Sequence, residues 1–559
     1  MHDLLIRGAR VFDGSGAPAR RCDVAVSGGR IAALGEGLGA ARETVDAGGL
    51  ALMPGVIDVH THYDAQLTWD PFGDPSPALG VTTVVIGNCG FGIAPCKPGD
   101  RDLTLRNLTH VEGMSLSALR QGVDWRFESF GQYLDFLGRR GVGVNVASFI
   151  GHSAIRTFVL GEDAPRRAAT PDEVAAMAAL VRDGMRQGAI GFATSTSPAH
   201  NGEGGIPMPS RLAEDAELSD LVAAMGEGGR GTFMLTKGGQ TKIPFLASLA
   251  RRAKRPVVIA AILHSSVDPE GTFRDLAQID AARGEGLGLY GQISCCPLSN
   301  EFTLRSPYPF EGLAAWKPAM TAKGDAVKRV YADPEFRAKV RAELALPPTF
   351  RLFNDEWHKV EVTEVKRAEH RALEGQTLDR IAARRGVSAL DAMLDLALAE
   401  DLDTLFTAML LNSDEAAVGR MIRNPDTVVA LSDAGAHMTF FCDAGYALHL
   451  LGHWVRERGL LSWEEAIRRL TGQPAAIYGI SDRGRIAPGL AADLMLFDPA
   501  RIGRGPKRRV TDLPGGAPRL VTPGIGIEGV WVNGKRIVDR DAMVAAAPLA
   551  GQVLRSFAA

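Results

Sequence analysis

The chain has 559 residues, of which 46% are hydrophobic and 23% charged, with a formal net charge of −3. That length requires several domains or one large barrel with additions. The near-neutral charge gives no electrostatic reason to bind nucleic acid or an anionic membrane. The six cysteines, Cys22, Cys89, Cys96, Cys295, Cys296 and Cys442, are too few for a disulfide framework in so long a chain, so a reducing, cytoplasmic setting is expected. The opening "MHDLLIRGARVFDGSG" lacks the apolar region of a signal peptide. No run of about 18 apolar residues marks a membrane span.

Taken in chain order, the first 50 or so residues read as short strands between Gly and Asp turns: "DLLIRGARVF", "DVAVSGGRIAALG", then "ETVDAGGLALMPG". The C-terminal segments "RIAPGLAADLMLFDP" and "IEGVWVNGKRIV" read the same way. A small β-sandwich domain built from 1–53 and 482–559 is therefore expected, around a middle of 54–481.

The middle alternates apolar runs with helical patterns. The runs are the lead into His60, then "VTTVVIGNCG", "VGVNVASFIGH", "GAIGFATST", "GTFMLTKGG", "RPVVIAAILH", "GLGLYGQIS" and "TVVALSDAG". Between them lie segments such as "TPDEVAAMAALVRDGMRQG", where Thr170 caps a helix and Pro171 opens its first turn. Eight strands alternating with helices predict an α/β chain with a TIM-like (β/α)8 barrel. A doubly wound sheet is the alternative that periodicity leaves. After strand 7, about 297–405 intervene before strand 8, holding "RSPYPFEGLAAWKP" and the charged, helical-looking "EVTEVKRAEHRAL". A structureless loop of that length is implausible; a helical insertion acting as a lid over the barrel mouth is expected, with a non-catalytic extension as the alternative.

Functional groups in such a barrel sit at the C-terminal strand ends. His60 and His62 end strand 1, and positions i and i+2 of a strand face one side, so two imidazoles can converge on zinc. A hydrogen-bonded pair of core histidines is the alternative. Cys89 ends strand 2 at "GNCG", as a ligand or a bridge between two metals, or as a small core residue. His264 closes strand 6. Asp433 ends strand 8, able to bind metal and to take a proton, or to cap a turn. Lys237 ends strand 5 and could hold a substrate carboxylate, become a carboxylated metal bridge, or reach into solvent. After strand 3, His152 could polarise a carbonyl oxygen and Arg156 could hold a carboxylate; structural roles are equally open. His437 could support Asp433. Tyr63, Asp64 and Trp69 are expected to line the entrance.

With "PGVIDVHTH", the strand-end His264, "LSDAG" and the flanking "GLAADLMLFDP" and "VWVNGKRIV" in view, the sequence resembles the amidohydrolase superfamily. Through "THYDAQLTWDP", "GNCGFGIAP", "GHSAIR" and "LTGQPAAIYGISDRGRIAPGLAADL" it resembles more narrowly the N-acyl-D-amino-acid deacylase (D-aminoacylase) group. The group usually carries a histidine at the end of strand 5, where Thr236-Lys237-Gly238 stands here, and Ser-His-His-Lys at strand 6, where Leu263-His264-Ser265 stands. The resemblance implies one or two Zn2+ per chain, held by His60, His62, Cys89, His264 and Asp433 with Lys237 as a further candidate. Asp433 would be the general base and acid, His152 the oxyanion group, and Arg156, Lys237 and Tyr63 would bind substrate. The expected activity is hydrolysis of a small-molecule amide, an N-acyl-(D-)amino acid. A cyclic, hydantoin-like amide, a small peptide or a lipid amide is the alternative, as is a catalytically impaired metal-binding homologue. A homo-oligomer is compatible with the sequence.

Overall fold

The computed structural model describes residues 1–347, 352–439 and 443–559, with backbone alone for 110–112. Cys442 lies outside the described residues. No helix among them is long and apolar enough to cross a membrane.

The first of two compact units comprises Met1–Ile262, Arg274–Cys295 and Gly419–Ala559. Its centre is one eight-stranded parallel sheet, TIM-like in its alternation with helices. The strands are β1 (Val56–Asp58), β2 (Val81–Ile86), β3 (Asn145–Gly151), β4 (Gly191–Ser195), β5 (Thr232–Thr236), β6 (Val257–Ile262), β7 (Leu289–Ile293) and β8 (Thr427–Val429). They are paired in that sequential order. Each of the eight predicted runs contributes one strand. All residues of β2, β3, β4 and β5 are buried, the pattern of strands covered on both faces. Beyond β1 and β8 the chain makes one more parallel bridge, Thr61 with Ala434, where the His62 amide donates to the Ala434 carbonyl at 2.7 Å.

The helices start where local chemistry directs. Thr170 and Glu173 form a reciprocal capping box at Pro171–Gln187, Pro171 fills the first turn, and Gly188 ends the helix with φ 108°. Both chain ends feed a second, nine-stranded sheet. In it Leu494–Phe497 pairs antiparallel with Ala51–Pro54, which continues directly into β1. Leu4, Ile6, Val24, Leu52, Leu494 and Trp531 belong to its core.

The second unit, Leu263–Phe273 with Cys296–Val418, has a core of its own around Phe302, Phe310, Trp316, Tyr331, Phe336 and Phe406. Sequence reading made this stretch helical. Helices are present, among them Pro334–Leu344 and Ala389–Ala399, but so is an antiparallel sheet of Leu298–Phe302, Leu405–Leu411 and Val360–Glu364. The "EVTE" taken as helical is strand: Val360 and Val362 are buried while Glu361 and Thr363 are half-buried, a period of two.

Candidate metal centre

Beyond β1 the chain presents His60 and His62, both buried. Beyond β2 it turns sharply. Cys89 adopts φ 55° and Gly90 φ 77°. A Cβ on Gly90 would stand 2.7 Å from the Ala193 carbonyl oxygen and 2.9 Å from the His152 amide nitrogen, so only glycine fits. Asn88 ties the turn to its neighbours by donating to the carbonyls of Val85 (2.8 Å) and Thr61 (3.3 Å).

These constraints bring the Cys89 sulfur 3.5 Å from His60 Nε2 and 4.0 Å from His62 Nε2. One ligand atom from each of the three residues lies within 4.8 Å of the others. The loop after β8 adds Asp433, whose Oδ1 is 3.1 Å from His60 Nε2 and 3.6 Å from His62 Nε2. Ser432 fastens that loop to β1 by donating its hydroxyl to the His60 carbonyl at 2.9 Å. Gly435 closes over His62, where a Cβ would lie 2.7 Å from the His62 carbonyl carbon.

The cluster is electrostatically prepared for a cation. His60 Nδ1 lies 2.6 Å from Gln292 Oε1, an acceptor, so Nδ1 carries a proton and Nε2 is the nitrogen turned toward the cluster, its own proton being the one a metal would displace. Burial opposes charge on Cys89, but the His60 charge and hydrogen bonds from His60 and His62 outweigh it, bringing the thiol down to about 6. Burial likewise opposes charge on His60, and the Cys89 and Asp433 anions overcome it, raising the imidazole to about 10. Asp433 is held well below the usual carboxylate range: burial works against it, His60 and His62 for it. Two imidazole nitrogens, a thiolate and a carboxylate oxygen, all buried or nearly so, are a donor set that fits zinc.

A match to the Amidohydrolase family spans residues 43–538. The chain belongs to the amidohydrolase family. This amidohydrolase is 31% identical to the N-acyl-D-aspartate deacylase of Alcaligenes xylosoxydans xylosoxydans over 99% of the chain and 95% of that protein. It is 29% identical to the D-aminoacylase of the same organism, over 100% and 98% of the two chains. Among solved structures it is similar to the N-acyl-D-glutamate deacylase of Bordetella bronchiseptica, complexed with zinc and a phosphonate mimic of the tetrahedral intermediate. The TM-score is 0.67 and the identity 27%, covering 99% of this chain and 100% of the other.

Other predicted site residues take different places in this amidohydrolase. His152 cannot serve as an oxyanion donor, because both ring nitrogens are engaged: Nδ1 lies 2.7 Å from Thr194 Oγ1 and Nε2 2.7 Å from Glu217 Oε1. Arg156 cannot receive substrate either; it is fully buried, with Nη1 2.5 Å from both Glu217 oxygens and Nη2 2.8 Å from the Arg167 carbonyl. Together the three form a structural ion-pair network. Tyr63 is buried with its hydroxyl 2.7 Å from Ser76 Oγ, so it lines no entrance. Asp64 is buried too, accepting from the Gly87 amide at 2.9 Å, and burial pushes its carboxyl up to about 6. The Lys237 ammonium pairs with Asp275 at 2.8 Å instead of joining the ligands. His264 belongs to the second unit, where its amide donates to Asn412 Oδ1 at 2.7 Å. Cys22 and Cys96 are free and buried, and Cys295 and Cys296 are buried.

Sequence reading missed three residues around the cluster. Gln292, on β7, orients His60. Thr236, the last residue of β5, places its hydroxyl 3.0 Å from the Cys89 sulfur. His200 sits on the loop after β4, its Nδ1 2.6 Å from Ser195 Oγ. Its ring stands edge-on to Phe91 at 5.0 Å, and Phe91 lies against His62 at 6.0 Å. Burial, reinforced by positive charge at His437 and His62, pushes the His200 imidazole down to about 3 and keeps it neutral. Its position just past a strand end was a usable signal; the five-residue gap from Ser195 hid it.

Proposed function

We propose that the protein is a zinc-dependent deacylase that hydrolyses the amide bond of N-acyl-D-amino acids to a free amino acid and a carboxylate. The convergence of His60, His62, Cys89 and Asp433 within the amidohydrolase fold carries this reading. The whole-length likeness to deacylases acting on N-acyl-D-amino acids supports the substrate class.

His60, His62 and Cys89 would hold the metal, with Asp433 at its edge. A zinc ion there supplies Lewis acidity, making water nucleophilic near neutral pH and polarising an amide carbonyl. Asp433, ionised and beside both imidazoles, takes the proton from the attacking water and delivers it to the leaving nitrogen as the C–N bond breaks. The buried Gln292 and Thr236 fix the ligand orientations.

The surrounding frame is read as a closed barrel flanked by a β-sandwich, with the Thr61–Ala434 bridge supporting closure. The free, buried thiols of Cys22, Cys89 and Cys96 support a cytoplasmic enzyme. Assembly as a homo-oligomer belongs to the same reading. The test is incubation of the zinc-loaded protein with N-acyl-D-amino acids, N-acyl-L-amino acids and hydantoins, with released amino acid quantified. Release from the D-series first is expected; turnover of the L-series or the cyclic amides alone overturns the reading.

A further inference from the structure

An N-acyl amino acid carries an α-carboxylate that must be held while its amide is cleaved. The two cations expected for this task are occupied, Lys237 by Asp275 and Arg156 by Glu217. A third cation lies on the same loop as His200.

Arg211 stands in the turn Pro209–Leu212 that follows β4. The turn is pinned on two sides: the Ser210 amide donates to Ser153 Oγ at 3.2 Å, and the Ser210 hydroxyl donates to the Ser195 carbonyl at 2.8 Å. Arg211 Nη1 donates to the His200 carbonyl at 3.2 Å and to Asn201 Oδ1. That anchors the guanidinium by one corner. Its other edge, Nε and Nη2, meets no acceptor among the described residues. The side chain is half-buried, and burial alone, with no carboxylate nearby, depresses its pKa. A half-buried guanidinium without a counter-ion is an unusual arrangement, because burying an unpaired charge costs free energy. An edge of two parallel N–H donors matches a carboxylate bidentately.

The loop also reaches the metal centre. The carbonyl that Arg211 binds belongs to His200, whose ring packs on Phe91, which in turn packs on His62. We propose that Arg211 is the specificity-determining residue that receives the substrate α-carboxylate, presenting its free Nε–Nη2 edge beside the metal site. This assignment rests on the deacylase reading for its substrate, and it explains how the chain manages with Lys237 withdrawn into an ion pair.

The test compares N-acyl-D-amino acids with the matching N-acyl amines, which lack the carboxylate, in wild type, Arg211→Gln and Arg211→Lys. A charged hydrogen-bonded pair lost on substitution corresponds to about tenfold to a hundredfold in affinity. Arg211→Gln is expected to raise KM for the acyl-amino acid by that factor and to lower the kcat/KM preference for it over the acyl amine equally, with Arg211→Lys between. An equal loss for both substrates, or no change, overturns the assignment. If wild type cleaves neither substrate, the deacylase reading fails separately, and calorimetric binding of N-acetyl-D-leucine decides Arg211. Weaker binding by Arg211→Gln then supports it; equal binding, or none to wild type, overturns it.

Discussion

Cys89 and Asp433 meet at one atom: His60 Nε2 lies 3.5 Å from the Cys89 sulfur and 3.1 Å from Asp433 Oδ1. Both residues reach it from left-handed backbone, at φ 55° and 46°. Such conformations are rare for residues with a Cβ and cost about 1–3 kcal/mol each. Here the strain places two anions against one imidazole, and the ties of Asn88 and Ser432 hold it in place.

Asp433→Asn keeps the three donors His60, His62 and Cys89 but removes the group proposed to accept and return the proton. Zinc content by elemental analysis is expected to stay near wild type while kcat falls about 10²- to 10⁴-fold. Near-normal turnover would refute the role given to Asp433.

Gln292 reaches the cluster through His60, its Nε2 donating to the Tyr478 hydroxyl at 3.4 Å on the other side. Gln292→Ala frees the Nδ1 proton and the ring orientation, and zinc affinity measured by competition with a chelator is expected to fall about 10- to 100-fold. Wild-type affinity in this variant would show that the 2.6 Å contact does not position the ligand.

Gly90→Ala forces a methyl group against the Ala193 carbonyl and the His152 amide. The turn carrying Cys89 has to move, so the variant is expected to bind less zinc as well as to melt lower. Full zinc occupancy would refute the idea that this glycine sets the position of the sulfur.

Glu217 is buried between His152 and Arg156; burial works against its ionisation, yet those two hold it at about 2, below the ordinary 4.5. A depressed folded-state value means stabilisation is present above pH 4.5 and is lost as pH falls from there toward 2. Glu217→Gln strands a buried guanidinium and is expected to cost about 3–5 kcal/mol at neutral pH. In chemical denaturation, the gap between wild type and variant should narrow on acidification across that window. A gap that stays constant would contradict this assignment.

The eight strands were legible because strands buried on both faces leave continuous apolar runs, and His60 and His62 because a strand repeats every two residues. What escaped were side chains whose role depends on a partner remote in sequence. His152 and Arg156 read as functional from "GHSAIR", yet Glu217, 65 and 61 residues away, makes them structural. Lys237 likewise turned out to answer to Asp275. Gln292 sits within an ordinary strand, where nothing local marks it as the partner of His60. Arg211 gave no signal in "MPSRLAED", because a cation is notable only when its surroundings lack an anion.

The sheet shared by the two chain ends has a consequence for biosynthesis. Ala51–Pro54 leaves the ribosome early, but its neighbour Leu494–Phe497 follows about 440 residues later. At typical elongation rates the delay is roughly 20–90 s. During that time one edge of Ala51–Pro54 has hydrogen-bonding groups without their native partner, joined directly to the strand that delivers His60 and His62. The nascent chain therefore carries an open β-edge beside the proposed metal ligands, and arrival of Leu494–Phe497 is the event that covers that edge.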